Sequence, residues 1–230
     1  MQLSIKYKFA FLCLPKCGST SVEKALRKKC PTHLGGHPSL KHINAQLFKR
    51  HIRPLLRKVD PAHEIETFCI MREPVDRVRS WYEYQLRPEL KDPSHPAHER
   101  YNAHVSVEEF VEILLSDDRP ANRPRFSRIG TQAGFGRLAD GSIGVDKIFR
   151  LDRMQDVADY LTAKIGAPLE IKVANKSARP EPKAGLFRRL AVKPEPRERP
   201  PKFVLPEPLL ARLKEHLADD YQIYNRLPLG

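Results

Sequence analysis

The hydrophobic pattern changes rhythm once within the first thirty residues. Tyr7–Leu14 is almost continuously apolar, as in a short strand covered on both faces. Pro15-Lys16-Cys17-Gly18 interrupts it. Apolar positions then recur at Val22, Ala25 and Leu26, which is one face of a helix over Ser19–Lys29, closed by Cys30-Pro31. The same strand-then-helix switch returns twice. "TFCIM" (Thr67–Met71) leads through Arg72-Glu73-Pro74 into a helix to about Leu86, with Pro74 suited to its first turn. "VDKIFRL" (Val145–Leu151) leads into a helix over Asp152–Ile165 that Gly166 ends.

The intervening segments are less regular. Lys41–Val59 reads as a helix interrupted at Pro54, after a Gly/His/Pro loop at His33–Pro38. Leu86–Tyr101 carries Pro88, Pro93 and Pro96 and predicts an irregular excursion. Ser106-x-x-Glu109 ahead of "FVEILL" is a capping box that starts a helix. Asp118–Ala139 predicts a long loop, and Leu169–Val173 a short strand. Residues 178–208 are rich in proline and basic residues, which favour extended conformations and a mobile loop. Glu207–Tyr224 predicts a final helix with Leu209, Leu210, Leu213, Leu217 and Tyr221 on one side. Strands alternating with helices imply a single α/β domain over 1–230 with a central, mainly parallel sheet. Ligands of such sheets bind beyond the carboxyl ends of the strands.

Composition narrows the class. The 230 residues are 40% hydrophobic and 30% charged, which suits a folded core. The run Phe9–Leu14 is too short for a membrane span or a signal-peptide core, and no small-residue cleavage site follows. Cys13, Cys17, Cys30 and Cys69 form no Cys-x-x-Cys pair, so neither zinc nor a disulfide framework is expected. A reduced, cytoplasmic location fits. The formal charge of +13 attracts polyanions and is compatible with peripheral membrane association. The basic residues form no stripe interleaved with aromatics, which argues against nucleic acid as the partner.

Two segments at predicted strand ends carry chemistry. In "PKCGSTS" (Pro15–Ser21), Gly18 lets backbone approach an anion, the helix start offers N–H groups, Ser19, Thr20 and Ser21 offer hydroxyls, and Lys16 a charge. The nucleoside-triphosphate loop G-x-x-x-x-G-K-[ST] needs its lysine after a second glycine, and here Lys16 precedes the single glycine. Ser19 or Thr20 as a simple helix cap is the competing reading. In "REPVDRVRSWY" (Arg72–Tyr82), Arg72 and Ser80 could reach one anion, and the planar fork of arginine suits phosphate. The competing reading pairs Arg72 with Glu73 or Asp76. Trp81 and Tyr82 read as core aromatics.

Together these segments resemble the sulfotransferase superfamily, in its carbohydrate-type and bacterial branch. "PKCGSTS" is similar to the family's 5′-phosphosulfate loop and "REPVDRVRSWY" to its 3′-phosphate segment. "VDKIFRLDRM", "VANKSARP" (Val173–Pro180) and "LKEHLADDYQIYNRL" resemble later family segments, although the family often has Glu at the place of Asp152 and Thr, Ala or Ser at that of Cys17. The resemblance implies a P-loop-NTPase-like three-layer sandwich. It also implies 3′-phosphoadenosine 5′-phosphosulfate as sulfuryl donor, adenosine 3′,5′-bisphosphate as product, no metal, and a glycan or small-molecule acceptor. Lys16 through Ser21 would hold the 5′-phosphosulfate, and Arg72 and Ser80 the 3′-phosphate. His37 is the expected base, with His33, His42, Glu64 and Glu66 as alternatives. Residues 86–140, which match least, would face the acceptor. The rival functions are a P-loop kinase and a basic nucleic-acid-binding protein.

Overall fold

The structure, a computed structural model, describes residues 1–62, 64–172 and 202–227. Strand β1 (Gln2–Ser4) turns back into β2 (Phe9–Phe11), which leads to helix α1 (Ser19–Leu26) and the short β3 (Thr32–His33). Short helices α2 (Pro38–Lys41) and α3 (Ala45–Leu47) follow, and a π-helical turn, Phe48–Ile52, joins α3 to α4 (Arg53–Val59). Then come β4 (Glu66–Met71), α5 (Pro74–Gln85), α6 (Val107–Leu115), α7 (Gln132–Gly136), β5 (Lys147–Arg150) and α8 (Met154–Ile165). The last elements are α9 (Glu207–His216) and α10 (Ala218–Tyr224).

The sheet order is β3-β1-β2-β4-β5. β2, β4 and β5 run parallel, whereas β1 pairs antiparallel with both β2 and β3. The sheet is therefore mixed, which corrects the expectation of a mainly parallel one. The β1–β2 hairpin carries none of the usual turn residues. Lys8 itself adopts the left-handed conformation, with φ 56°, where a glycine or asparagine would have announced the turn.

Side chains of the central strands alternate between two faces. Phe9, Phe11, Cys13, Phe68 and Ile70 pack with Val22 and Leu26 of α1 and Val157 and Leu161 of α8. Ala10, Leu12 and Cys69 pack on the other face with Ala45, Phe48 and Leu56. Both faces are covered by helices, so the central strands are apolar throughout. Phe68 stacks on Phe11 at 4.8 Å between ring centroids and meets Tyr160 edge-on at 5.2 Å.

The region 86–140 is less irregular than its prolines suggest. It contributes α6, α7 and several 3-10 turns. The predicted capping box is present at α6: Ser106 N donates to Glu109 Oε2 at 2.9 Å and Glu109 N to Ser106 Oγ at 3.1 Å. Phe110, Val111 and Leu114 of α6 build a separate apolar cluster with Val78 and Tyr82 of α5 and Leu209, Leu213 and Leu217 of the C-terminal helices. Pro54 does not end its helix. It sits in the first turn of α4, where the preceding π turn absorbs the missing N–H.

Two further expectations shift. Residues 169–172 are not a strand. The final helix breaks at Leu217 into α9 and α10. Val173–Pro180 and most of 178–208 lie outside the described residues. All four cysteines are free and buried. Among the described residues no helix is long and apolar enough to cross a membrane.

Candidate active site

The parallel register of β2 and β4 brings their carboxyl ends side by side, and Leu12 N extends the ladder by donating to Phe68 O at 2.8 Å. The loop after β2 and the loop after β4 therefore open at the same edge. In the first loop, Lys16 and Gly18 both take left-handed backbone conformations, with φ 68° and 73°. Gly18 is the N-cap of α1, and no side chain caps that helix. Neither Ser19 nor Thr20 plays that part, so the simple cap reading fails. Ser21 N closes the first turn on Gly18 O at 3.0 Å. A Cβ on Gly18 would lie 2.5 Å from Leu151 Cδ1 and 3.2 Å from Met154 Cε, so the loop passes directly under the start of α8. No acidic residue occupies the first turn of α1, which leaves the positive end of its dipole uncompensated by its own side chains.

Lys16 is half-buried. Its Nζ lies 3.7 Å from the centroid of the Tyr84 ring, and Arg87 Cζ lies 3.5 Å from that same centroid. Burial, followed by repulsion from Arg87 and Arg72, pulls the Lys16 ammonium down to about 8.

Arg72 leaves β4 with its guanidinium on Asp76: Nε and Nη2 both lie 2.5 Å from Oδ2. Arg79 pairs with the other oxygen of that carboxylate. The local pairing reading for Arg72 thus describes its contact here, and two guanidiniums share one carboxylate. Ser80 is half-buried on α5. At 100° per residue, Arg77, Ser80 and Tyr84 fall on one stripe of that helix. Arg77 reaches the Lys16 loop at one end of the stripe and Tyr84 reaches Lys16 at the other, so Ser80 stands between them. Trp81 and Tyr82 are structural, as expected. Tyr82 is buried and donates to Val105 O at 3.0 Å, and Trp81 Nε1 donates to Phe126 O at 2.6 Å.

The histidines differ in what their rings can do. His37 is exposed at the N-cap of α2, and its Nδ1 accepts from Ser39 N at 3.2 Å. A neutral His37 then carries its proton on Nε2 and has no free lone pair in this geometry. His42 is half-buried, with Nδ1 2.6 Å from Cys13 O, an acceptor only. Its Nδ1 must carry the proton, which leaves the Nε2 lone pair free. Burial lowers the His42 pKa from its ordinary value, so the ring is neutral at neutral pH. His33 instead lies 3.5 Å from Glu23, the carboxylate that also takes Lys41 at 2.9 Å. Glu66 is at the amino end of β4, ion-paired with Lys164 at 2.6 Å, which puts it at the opposite edge of the sheet from Arg72. Glu64 precedes it on the same side.

A buried network beneath both loops was invisible to sequence reasoning. Arg77, only 3% exposed, donates to Pro15 O at 3.0 Å and Gly130 O at 2.8 Å. The Gln132 amide clamps the backbone of Arg72, accepting from its N at 2.9 Å and donating to its O at 2.7 Å. Cys17 Sγ donates to the same Gln132 oxygen at 3.3 Å. Asp220 of α10, 1% exposed, accepts from Gln132 N at 2.9 Å and Ala133 N at 2.7 Å. Burial pushes the Asp220 carboxyl up, against these N–H donors and nearby Arg77. Arg77 reads from the sequence only as added charge near Arg72, and neither a glutamine in a predicted loop nor an aspartate in a terminal helix carries a motif.

A donor-rich loop, a lysine and a strand-end arginine thus meet at one sheet edge, and groups of these kinds can bind an anion. The family model described as Sulfotransferase family matches residues 2–225, and the chain belongs to that family. With the family comes its general chemistry, transfer of a sulfuryl group, for which it generally uses 3′-phosphoadenosine 5′-phosphosulfate. No curated protein and no solved structure matches the chain.

Proposed function

We propose that this chain transfers a sulfuryl group from 3′-phosphoadenosine 5′-phosphosulfate to a hydroxyl of an acceptor, with a glycan-containing molecule as the acceptor class. The observation that carries this reading is the pair of loops at one sheet edge, with Lys16 and Gly18 in one and Arg72 in the other. Lys16, Cys17, Gly18, Ser19, Thr20 and Ser21 would hold the 5′-phosphosulfate through backbone N–H groups and hydroxyls. Arg72 and Ser80 would hold the 3′-phosphate, which competes with Asp76 for the Arg72 fork. The sandwich fold of the P-loop nucleotide-binding proteins is the arrangement we infer around the parallel strands β2, β4 and β5. The segment 86–140 is the proposed acceptor side.

Transfer in line leaves charge on the departing 5′-phosphate, which the Lys16 ammonium would neutralise. A base must take the proton of the acceptor hydroxyl. Between His37 and its alternatives, the hydrogen bonds favour His42, because its Nε2 keeps a lone pair while that of His37 does not. Its neutral state at neutral pH suits the role.

The test is a thermal-shift comparison of adenosine 3′,5′-bisphosphate with ATP, followed by transfer from radiolabelled donor. The bisphosphate should raise the melting temperature selectively, and Lys16→Ala or Arg72→Ala should abolish transfer in folded protein. A shift with ATP alone would instead favour a kinase.

A further inference from the structure

The ring of Tyr84 touches Lys16 but has no part in the proposed chemistry. It is 37% exposed, yet two cations hold to it: Lys16 Nζ at 3.7 Å and Arg87 Cζ at 3.5 Å from the same centroid. Arg87 is folded onto the ring by its own backbone, since its Nε donates to Tyr84 O at 2.7 Å. Its nearest carboxylate, Glu89, is 3.5 Å away. Lys16 thus faces Arg87 from the end of α5 and Arg72 from the end of β4, and the Glu83 carboxylate and the Cys17 thiol also act on it. A lysine among arginines in a half-buried site tends to lose its proton or swing out. An aromatic face offers an attractive, uncharged counterweight.

We propose that Tyr84 is the positioning residue for Lys16: its ring holds the lysine ammonium at the phosphate loop against the repulsion of Arg72 and Arg87. The consequence for transfer rests on the proposed role of Lys16, whereas the hold of the ring on the lysine does not. The negative face of the ring favours the charged form of Lys16, and Arg87 disfavours it. Removing the two neighbours therefore moves the Lys16 titration in opposite directions, which a general loosening of the site would not do.

The experiment uses the full chain without donor. Trace acetic anhydride labels deprotonated lysine, and mass spectrometry of the Lys16 peptide across a pH series gives its midpoint. Tyr84→Leu should lower the midpoint by about half a unit, the equivalent of a partly exposed cation–π contact. Tyr84→Phe, which keeps the ring, should leave it at the wild-type position. Arg87→Gln should raise it. Equal midpoints for Tyr84→Leu and Tyr84→Phe, or a downward shift in Arg87→Gln, would overturn the proposal. The alkaline limb of kcat/KM for transfer should follow the labelling midpoints. Labelling shifts with an unmoved limb would support the hold of Tyr84 on Lys16 and remove Lys16 from the transfer step.

Discussion

Replacing Arg77 by methionine tests whether the loop of Lys16 is held from below. Arg77 lies almost wholly inside the protein and bonds two backbone carbonyls, Pro15 O and Gly130 O. Methionine fills much of the same volume, so the cavity contribution is small. Both carbonyls lose their donor, each at about 1–3 kcal/mol. The carboxylate of Asp220 also loses a nearby cation. Against these stands the relieved desolvation of a buried guanidinium. The balance is a net loss of about 2–4 kcal/mol, which for a chain of this size lowers the melting temperature by roughly 5–15 °C. Arg79→Met is the control. Arg79 is half exposed and pairs with Asp76 and Glu83 at the surface, so its loss should cost below about 1 kcal/mol. Differential scanning calorimetry measures both. The folded fraction of Arg77→Met should also bind adenosine 3′,5′-bisphosphate more weakly, because Pro15 starts the loop. A melting temperature equal to that of wild type, or equal losses for the two variants, would refute the reasoning.

Other consequences are as direct. His42→Ala should lose turnover and keep nucleotide affinity by calorimetry, while His37→Ala should retain turnover; the reverse pattern returns the base to His37. A base that must be neutral and a lysine that must be charged give a bell-shaped kcat/KM. Activity falls on the acid side below the ordinary histidine value, because His42 is lowered by burial, and on the alkaline side as pH rises through about 8, where Lys16 loses its proton. Gly18→Ala should cost about 1–3 kcal/mol in thermal unfolding and weaken nucleotide binding, since φ 73° disfavours any Cβ and this one would meet Leu151 Cδ1 at 2.5 Å. Asp220→Asn turns an N–H toward one of two backbone N–H donors and should destabilise by about 1–3 kcal/mol in chemical unfolding. An unchanged midpoint would mean that those donors find another acceptor.

The two central parallel strands, β2 and β4, were legible because they are buried on both faces and read as apolar runs ending at Pro15 and Arg72. The antiparallel half was not. Gln2–Ser4 is three residues long, and the hairpin turn uses Lys8 at positive φ in place of a residue that signals one. The π turn before Pro54 hid for a similar reason, since proline normally predicts a break and the backbone widened instead. At the site, local chemistry could be read where it sits in one segment: the glycine that must be glycine, the lysine beside it, the arginine at a strand end. What could not be read is long-range. Gln132 meets Arg72 across 60 residues, Asp220 meets Ala133 across 87, and Arg77 meets Pro15 across 62. The two histidines show the same limit at shorter range. Their residue type is identical, and only the partner of Nδ1 decides which one keeps a lone pair.

These long-range contacts explain how a site rich in positive charge is held together. Lys16, Arg72, Arg77 and Arg87 repel one another, and a chain with a formal charge of +13 has few carboxylates to spare. The four cations are held by three kinds of partner. Arg77 has backbone carbonyls, Arg72 has Asp76, and Lys16 and Arg87 share the ring of Tyr84. Of these, carbonyl bonding fixes a guanidinium for good, because its buried partners have no solvent to turn to. The ion pair and the ring contact are partly exposed and weak enough to yield to a phosphate. The division matches the proposed roles. The cation that only braces the loop is locked, and the two that would meet the donor, Lys16 and Arg72, are held by contacts that a dianion can displace.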